Sequence, residues 1–440
     1  NDLVRRGYRL KTYCDTEVLI YLYDCYGVDM FRHIRGMFAF AIYDLSRERV
    51  LLARDRFGEK PLYYYRDASK FVFASEVKAI LQVPGVIAEV NEEALREYLT
   101  FQYCLDSKTL FRDINRIRPA SYLMLDRRGQ MIEGGEYWRL GFEEDHTKSE
   151  ERYVEEVRFV LEDAVRIQLR SDVPVGTYLS GGVDSSAVAG VAAMSVGGGL
   201  PAFTGYFDEG EAYSEVRYAQ AVAREYNSEH HTICPEPDDL ADNLESIIYH
   251  MDEPAAGPGV FPQFMVSRLA SEHVKVVLGG QGGDEIFGGY ARYLIMYLEA
   301  SIHGLIFDTQ DERKHVVTLG QALPNLVMLR QYIPMLKKFW SKGMFEPLER
   351  RYFTLVSRIE NMERYLSRDA LKDWSQDDIY RSFEFEFNDI FRNTYNEILP
   401  YSHLSVFTNG LMPDKVLDLM LELAGPNGAR DKNVVFAILL

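Results

Sequence analysis

The segment Leu179–Ser186, with the sequence LSGGVDSS, has the residue types and spacing of an anion-binding loop. It lies between an apolar stretch typical of a buried strand and a predicted helix that begins at Asp184. Two adjacent glycines let the backbone approach a ligand, and N–H groups at a helix N-terminus attract phosphate. Asp184 adds a carboxylate that can hold Mg²⁺ against a polyphosphate. We therefore expect a phosphate-binding loop, and the alternative is an ordinary glycine-rich turn with a Ser or Asp cap.

A second glycine-rich segment, Val277–Tyr290, reads VLGGQGGDEIFGGY and begins at the end of another predicted strand. Ligands of parallel α/β sheets bind beyond the carboxyl ends of the strands, so we expect this segment to face the same crevice as the first. Asp284 would then share one Mg²⁺ with Asp184. The alternative is that Asp284 and Glu285 only place negative charge at a helix N-terminus.

Two parts of the chain differ in their predicted elements. Residues 1–141 contain predicted β-hairpins and few helices, which indicates α+β sheets packed with helices. A polar, acidic stretch, 142–151, follows, and from residue 152 strands and helices alternate in the way that predicts a parallel sheet with right-handed crossovers. Beyond residue 290 the pattern becomes helical. We therefore predict an α+β domain over 1–141 and an α/β domain with a helical C-terminal part over 152–440.

The charge and the cysteines argue against several classes of protein. The 440 residues include 67 acidic and 49 basic side chains, and the resulting net charge of −18 repels nucleic acid. The four cysteines stand far apart, so we expect neither a zinc site nor a disulfide framework. No apolar segment is long enough to span a membrane without interruption. These features predict a cytoplasmic protein without nucleic acid or membrane as partners, and they leave a homodimer open.

Several motifs resemble those of known enzyme families. The first glycine loop resembles the pyrophosphate loop of the ATP-pyrophosphatase family, whose members split ATP between the α and β phosphates. The second, together with His250–Pro254 (HMDEP), resembles the synthetase domain of the glutamine-hydrolysing asparagine synthetases. Gly36–Asp44 (GMFAFAIYD) and Arg54–Tyr64 (RDRFGEKPLYY) resemble that family's glutaminase domain, which has the N-terminal-nucleophile fold. The resemblance to the asparagine synthetase family covers residues 1–293 and is weaker beyond them.

The resemblance implies an ATP- and glutamine-dependent amidotransferase. Such an enzyme adenylates a carboxylate, aspartate above all, and then amidates it with release of AMP and pyrophosphate. By the family's pattern Asp184 and Asp284 hold Mg²⁺, and Asp15 holds the amino group of glutamine. Lys432 neutralises the departing pyrophosphate. The alternatives are a helix-capping Asp15 and a solvated Lys432. The resemblance predicts ATP binding by Leu179, Ser180, Gly181, Gly182, Asp184, Ser185, Ser186, Thr204, Gly279 and Gly280.

Two features depart from the family pattern. The family's glutaminase nucleophile is an N-terminal Cys, whereas Asn1 has no nucleophilic group and Cys14 is internal. Either the segment with the nucleophile is not part of this sequence, or the protein dispenses with glutaminase chemistry. We favour the first explanation because half a sandwich would expose apolar surface. Gln281, which we assign to the adenylation centre, replaces a usual Glu, and its neutral amide cannot act as a base.

Two other functions stay open. The protein could be a relative of these synthetases that uses the same adenylation on a sugar, an antibiotic precursor or a peptide, or for ring closure. Gln281 favours this alternative. A protein of another class would bind the nucleotide without turnover. Release of pyrophosphate distinguishes an enzyme from such a binding protein, and dependence on an amine donor distinguishes amidation from ring closure.

Overall fold

The chain forms two compact units in the computed structural model. The first comprises Asn1–Gly141, Asp252–Pro254 and Arg358–Ser375, and the second comprises Phe142–Met251, Ala255–Ser357 and Gln376–Leu440. The structure describes residues 2–12, 14–139, 147–208, 210, 214–254, 257, 259–287, 289–290, 295, 298–299, 302, 336–337, 340–341, 346–358 and 376–386.

The first unit contains two antiparallel sheets with helices beside them. Its described elements are α1 Asp2–Arg5, α2 Asp15–Tyr26, a 3₁₀ helix Gly27–His33, β1 Ala39–Asp44, β2 Arg49–Arg54, β3 Tyr63–Arg66, β4 Phe71–Ala74, α3 Val77–Ile80, α4 Glu92–Phe101, β5 Ile114–Arg116, β6 Ser121–Asp126 and β7 Met131–Glu136. One sheet has the strand order β1-β2-β6-β7 and the other β4-β3-β5. The mixture of antiparallel sheets and helices agrees with the predicted α+β class.

Strand β2 is buried on both faces, which makes it the centre of the first unit. Its successive side chains point to opposite sides of the sheet. Leu51 packs in a cluster with Phe31 of the 3₁₀ helix, whereas Leu52 packs in another cluster with Leu62 and Ile117. The larger sheet therefore has an apolar layer on each side.

The second unit is built on a parallel sheet, as the alternating pattern predicts. Its described elements are α5 Glu150–Gln168, β8 Val175–Tyr178, α6 Val183–Val196, β9 Ala202–Gly205, α7 Val216–Glu225, β10 His230–Ile233, α8 Pro237–Met251, α9 Val260–Ser271, β11 Val276–Leu278, α10 Gly283–Phe287, α11 Leu348–Val356 and α12 Gln376–Glu386. The strand order is β10-β9-β8-β11, and all neighbours are parallel. The chain thus runs from β8 to one side and returns on the other. This change of direction opens a crevice at the carboxyl end of β8.

Helix α6 packs tightly because its side chains are small. Ala187, Val191 and Ala192 pack in one apolar cluster, and Ala189 packs in another. The helix ends at Val196 and is capped by Gly197, whose φ of 75° is the left-handed conformation of a glycine cap. Its N-terminus lies at the crevice because the first glycine loop leads into it from the carboxyl end of β8. Within the described part of the chain, no helix combines the length and the apolar character that crossing a membrane requires.

Asp252, which belongs to the first unit, caps helix α3. Its Oδ2 accepts a hydrogen bond from the Val77 N–H at 2.7 Å, and its Oδ1 accepts one from the Lys78 N–H at 3.1 Å. The Lys78 ammonium lies 3.0 Å from Oδ1, and only 6% of the Asp252 side chain is exposed. Hydrogen bonds to an ionised group are stronger than neutral ones, so this carboxylate should stabilise the first unit.

Replacing Asp252 by Asn tests this cap. Asn keeps the side-chain shape and tolerates the φ of 64° at this position, but it loses the charge. We expect Asp252→Asn to lower the free energy of unfolding in urea by about 1–3 kcal/mol. The control Asp172→Asn alters an exposed carboxylate and should change it by less than about 0.5 kcal/mol. Equal stability of the two variants would contradict a stabilising cap.

Candidate active site

A cavity of 460 Å³ in the second unit lies at the carboxyl ends of its central strands. Both glycine-rich segments contribute to its wall. Of the residues predicted to act in the site, those that line the cavity are Leu179, Ser180, Gly182, Asp184, Ser185, Thr204, Gly280, Gln281 and Asp284. Gly181, Gly279 and Ser186 are not part of the lining, and Ser186 is fully buried.

Hydrogen bonds between its own serines hold the first loop in shape. The Ser180 and Ser185 hydroxyls lie 2.8 Å apart, and the Ser180 N–H donates to Ser185 Oγ. The Gly182 N–H donates to Ser180 Oγ at 3.2 Å. Gly181 has a φ of +95°, and a Cβ there would lie 2.6 Å from the backbone oxygen of Glu215. A residue with a side chain would therefore be strained at Gly181 and would collide with the start of α7.

The two glycine-rich loops touch each other at Asp184. A Cβ on Gly280 would lie 2.5 Å from the backbone nitrogen of Ser185, and one on Gly283 would lie 2.1 Å from Asp184 Oδ2. Both distances are far shorter than any normal contact. At Gly280 the obstructing atoms belong to the backbone, so only glycine lets the second loop approach the N-terminus of α6 so closely there, whereas at Gly283 the obstacle is the Asp184 carboxylate.

Asp184 is a strongly perturbed carboxyl group. Burial, followed by the negative charges of Asp284 and Glu285, raises the pKa of Asp184 to about 7. Asp184 Oδ1 is buried and accepts no hydrogen bond from the described residues. An oxygen in this position lacks the polar partner that buried carboxylates normally have. The negative charge of Asp184 is therefore poorly stabilised unless a cation or a proton binds there.

Sequence reasoning missed Glu215, which also lines the cavity. It directly precedes helix α7, and burial raises its pKa. The carboxyl end of β9 faces the same crevice, so the rule that identified the two glycine loops could have found Glu215 as well.

The two remaining predicted site residues are Asp15 and Lys432. Asp15 is the first residue of α2 in the first unit, and its Oδ1 accepts a hydrogen bond from the Thr16 hydroxyl at 3.4 Å. Cys14 occupies the N-cap position, so the alternative that Asp15 caps the helix is wrong. The glutamine-binding role of Asp15 stays a prediction. Lys432 lies outside the described residues.

The second unit is an α/β fold built on a parallel sheet. Glycine loops and acidic residues surround a crevice at the carboxyl edge of this sheet, at the switch point where ligands of such folds bind. The model of the asparagine synthase family matches residues 156–389, and that of the glutamine amidotransferase domain matches residues 1–138. The chain therefore belongs to the asparagine synthase family.

Its curated relatives are named as two kinds of enzyme, asparagine synthetases and an amidase. Asparagine synthetase [glutamine-hydrolyzing] 1 of Bacillus subtilis is 36% identical over 292 residues, which are 66% of this chain and 45% of the relative. A putative asparagine synthetase of Methanocaldococcus jannaschii is 35% identical over 291 residues, which are 65% and 56% of the two chains. Amidase chry2 of Gibberella zeae is 32% identical over 328 residues, or 70% and 48%. The chain thus spans about half the length of these relatives.

The contact between the loops can be tested by adding a methyl group. We expect Gly280→Ala to lower the free energy of unfolding by about 1–3 kcal/mol, because the new Cβ meets backbone atoms that cannot move aside easily. Gly198→Ala is the matched control, since a Cβ there has no atom within 4 Å. Urea denaturation of both variants measures the difference. The loop contact is contradicted if Gly280→Ala is as stable as Gly198→Ala.

The perturbed pKa of Asp184 predicts a pH-dependent effect on stability. Asp has a reference pKa of 3.8, so the folded state binds the Asp184 proton more tightly than the unfolded state does. The stabilising protonated form is lost as the pH rises from about 4 to about 7, so the contribution of Asp184 to stability should fall over this interval. Asp184→Asn removes the charge, so we expect the metal-free variant to be more stable than the wild type above pH 7, by ~1 kcal/mol or more.

Urea denaturation of the metal-free protein between pH 4 and pH 8 measures this difference. The advantage of Asp184→Asn should grow with pH and level off above pH 7. If Asp184→Asn is less stable than the wild type at pH 8, the charged Asp184 carboxylate stabilises the folded state, and the expectation is contradicted.

Proposed function

We propose that the second unit binds ATP in the cavity and uses it to adenylate a carboxylate. The observation that carries this proposal is the meeting of two glycine-rich loops and two carboxylates, Asp184 and Asp284, at one cavity. The N-terminus of α6 offers N–H groups for the phosphates. The base would lie against the ends of β8 and β9, near Leu179 and Thr204.

The residues of the cavity suit Mg²⁺. The ion takes oxygen ligands and commonly uses one or two carboxylates together with substrate phosphates. The buried Asp184 Oδ1, which no described residue satisfies, and the nearby Asp284 charge provide such ligands. Among the described residues no group of three or more His, Cys, Asp or Glu side chains could hold a metal without substrate. We therefore propose that Asp184 and Asp284 hold Mg²⁺ with the triphosphate, where it would neutralise phosphate charge.

The proposed reaction has two steps. An oxygen of the acceptor carboxylate attacks the α-phosphorus of ATP, and pyrophosphate leaves as the acyl-adenylate forms. Ammonia then attacks the acyl carbon, and AMP leaves with formation of the amide. Glutamine is the proposed source of ammonia, with Asp15 as a glutamine ligand of the first unit, and Lys432 is the proposed partner of the departing pyrophosphate.

Aspartate is the acceptor that the named relatives favour, since two of those reported above are called asparagine synthetases. Gln281 favours a second candidate, a different acceptor carboxylate. Gln281 lines the cavity with a neutral amide, which donates hydrogen bonds that a carboxylate cannot donate. A relative named as an amidase supports this candidate.

Release of pyrophosphate from ATP tests the proposed function. The protein is incubated with MgATP, a panel of carboxylates that includes aspartate, and glutamine or ammonium. We expect AMP and pyrophosphate in equal amounts with at least one carboxylate. Asp284→Asn should lower the rate about 100-fold or more, because it removes charge from the proposed metal site, and Asp172→Asn should leave it unchanged.

The panel also separates the two acceptors. Activity with aspartate supports the first candidate, and activity with another carboxylate alone supports the second. Binding of ATP without pyrophosphate release under every condition, or the formation of ADP and phosphate, would refute the proposed chemistry.

A further inference from the structure

A chain of two hydrogen bonds leads from the cavity wall to a histidine behind it. The Thr204 hydroxyl donates to the backbone oxygen of Leu179 at 2.5 Å and lies 2.7 Å from His230 Nε2. Thr204 and Leu179 line the cavity and are almost completely buried, whereas His230 is on the neighbouring strand β10 and is not part of the lining.

The protons of these two hydrogen bonds can be arranged in only one way. A backbone oxygen can only accept, so the single proton of the Thr204 hydroxyl is used on Leu179. Thr204 Oγ1 must then accept from His230, and Nε2 of His230 carries the proton. His230 therefore determines the direction in which the Thr204 hydroxyl points.

The same chain ends the hydrogen-bond ladder between β8 and β9. The Thr177 N–H donates to the Pro201 oxygen and the Leu179 N–H to the Phe203 oxygen, so the next donor in this parallel pattern would be the Gly205 N–H. The Leu179 oxygen accepts from the Thr204 hydroxyl at this point, and Gly205, which follows Thr204, lines the cavity.

We infer that His230 is a positioning residue for the base end of the nucleotide site. It acts through Thr204 and fixes the Leu179 carbonyl, and both residues line the cavity where the base is proposed to lie. This inference rests on the proposed ATP-binding function and adds a residue that does not touch the ligand. Burial also lowers the pKa of His230, which favours the neutral ring. In this arrangement the proton of the neutral ring is on Nε2.

Two probes separate positioning of the base from general damage to the site. Calorimetric titration of the whole chain with MgATP measures binding of base and phosphates together, and titration with magnesium tripolyphosphate measures binding of phosphates alone. We expect His230→Leu to raise the Kd for ATP about three- to tenfold, the cost of one neutral hydrogen bond. The Kd for tripolyphosphate should stay unchanged.

Conservative and double variants test the connection itself. His230→Gln keeps a side-chain donor and should bind ATP within about twofold of the wild type. Thr204→Val should weaken ATP binding like His230→Leu, and the double variant should bind no more weakly than Thr204→Val, because both changes break one chain. His33→Leu alters an exposed histidine of the first unit and serves as the control.

Three results would overturn the inference. They are unchanged ATP binding by His230→Leu, equal weakening of both probes, and independent losses in the double variant. If Thr204→Val does not fold, as its melting curve would reveal, the comparison of His230→Leu with His230→Gln still decides. A wild-type protein that binds neither probe would refute the proposed ATP site itself, and the inference would fail with it.

Discussion

The close contact of two glycine-rich loops at Asp184 is the constraint on which the candidate site depends. Gly280 and Gly283 have no Cβ, and each lies where a Cβ would collide with Asp184 or its neighbour Ser185. The parallel sheet makes this contact geometrically available, because β8 and β11 are adjacent and their carboxyl ends meet at one edge. The small side chains of α6 let that helix pack against the sheet and present its N-terminus there.

This arrangement places negative charge where the metal-free protein cannot stabilise it well. Asp184 is partly buried, and burial, followed by the charge of Asp284, raises its pKa. A group that is unfavourable in the free protein is a common feature of sites that bind a cation or an oppositely charged ligand. In the first loop, by contrast, the polar groups are paired, since its serines form hydrogen bonds that keep the backbone in a fixed shape. In the proposed function, the loop would bind the phosphates and the acidic pair would bind the metal ion of one metal–polyphosphate ligand.

The sequence predicted the features that depend on local pattern and strand order. The parallel sheet followed from alternating strands and helices, and the cavity-lining residues of both loops followed from their places at strand ends. Strand β7 has no such signal, since all its residues are exposed and two are glycines. It exists because β6 pairs with it. The direction of the Thr204 hydroxyl depends on His230 of another strand, and no local pattern encodes such a tertiary hydrogen bond.

Binding of Mn²⁺ in the presence of an ATP analogue with a methylene bridge between the α and β phosphorus atoms tests the shared metal site most directly. Electron paramagnetic resonance counts the bound ions in the wild type, Asp184→Asn, Asp284→Asn and the double variant. We predict that each single variant loses the tightly bound ion and that the double variant loses nothing more, because both carboxylates hold the same ion. Retention of the tightly bound ion in either single variant, or independent losses that add in the double variant, would contradict a shared site.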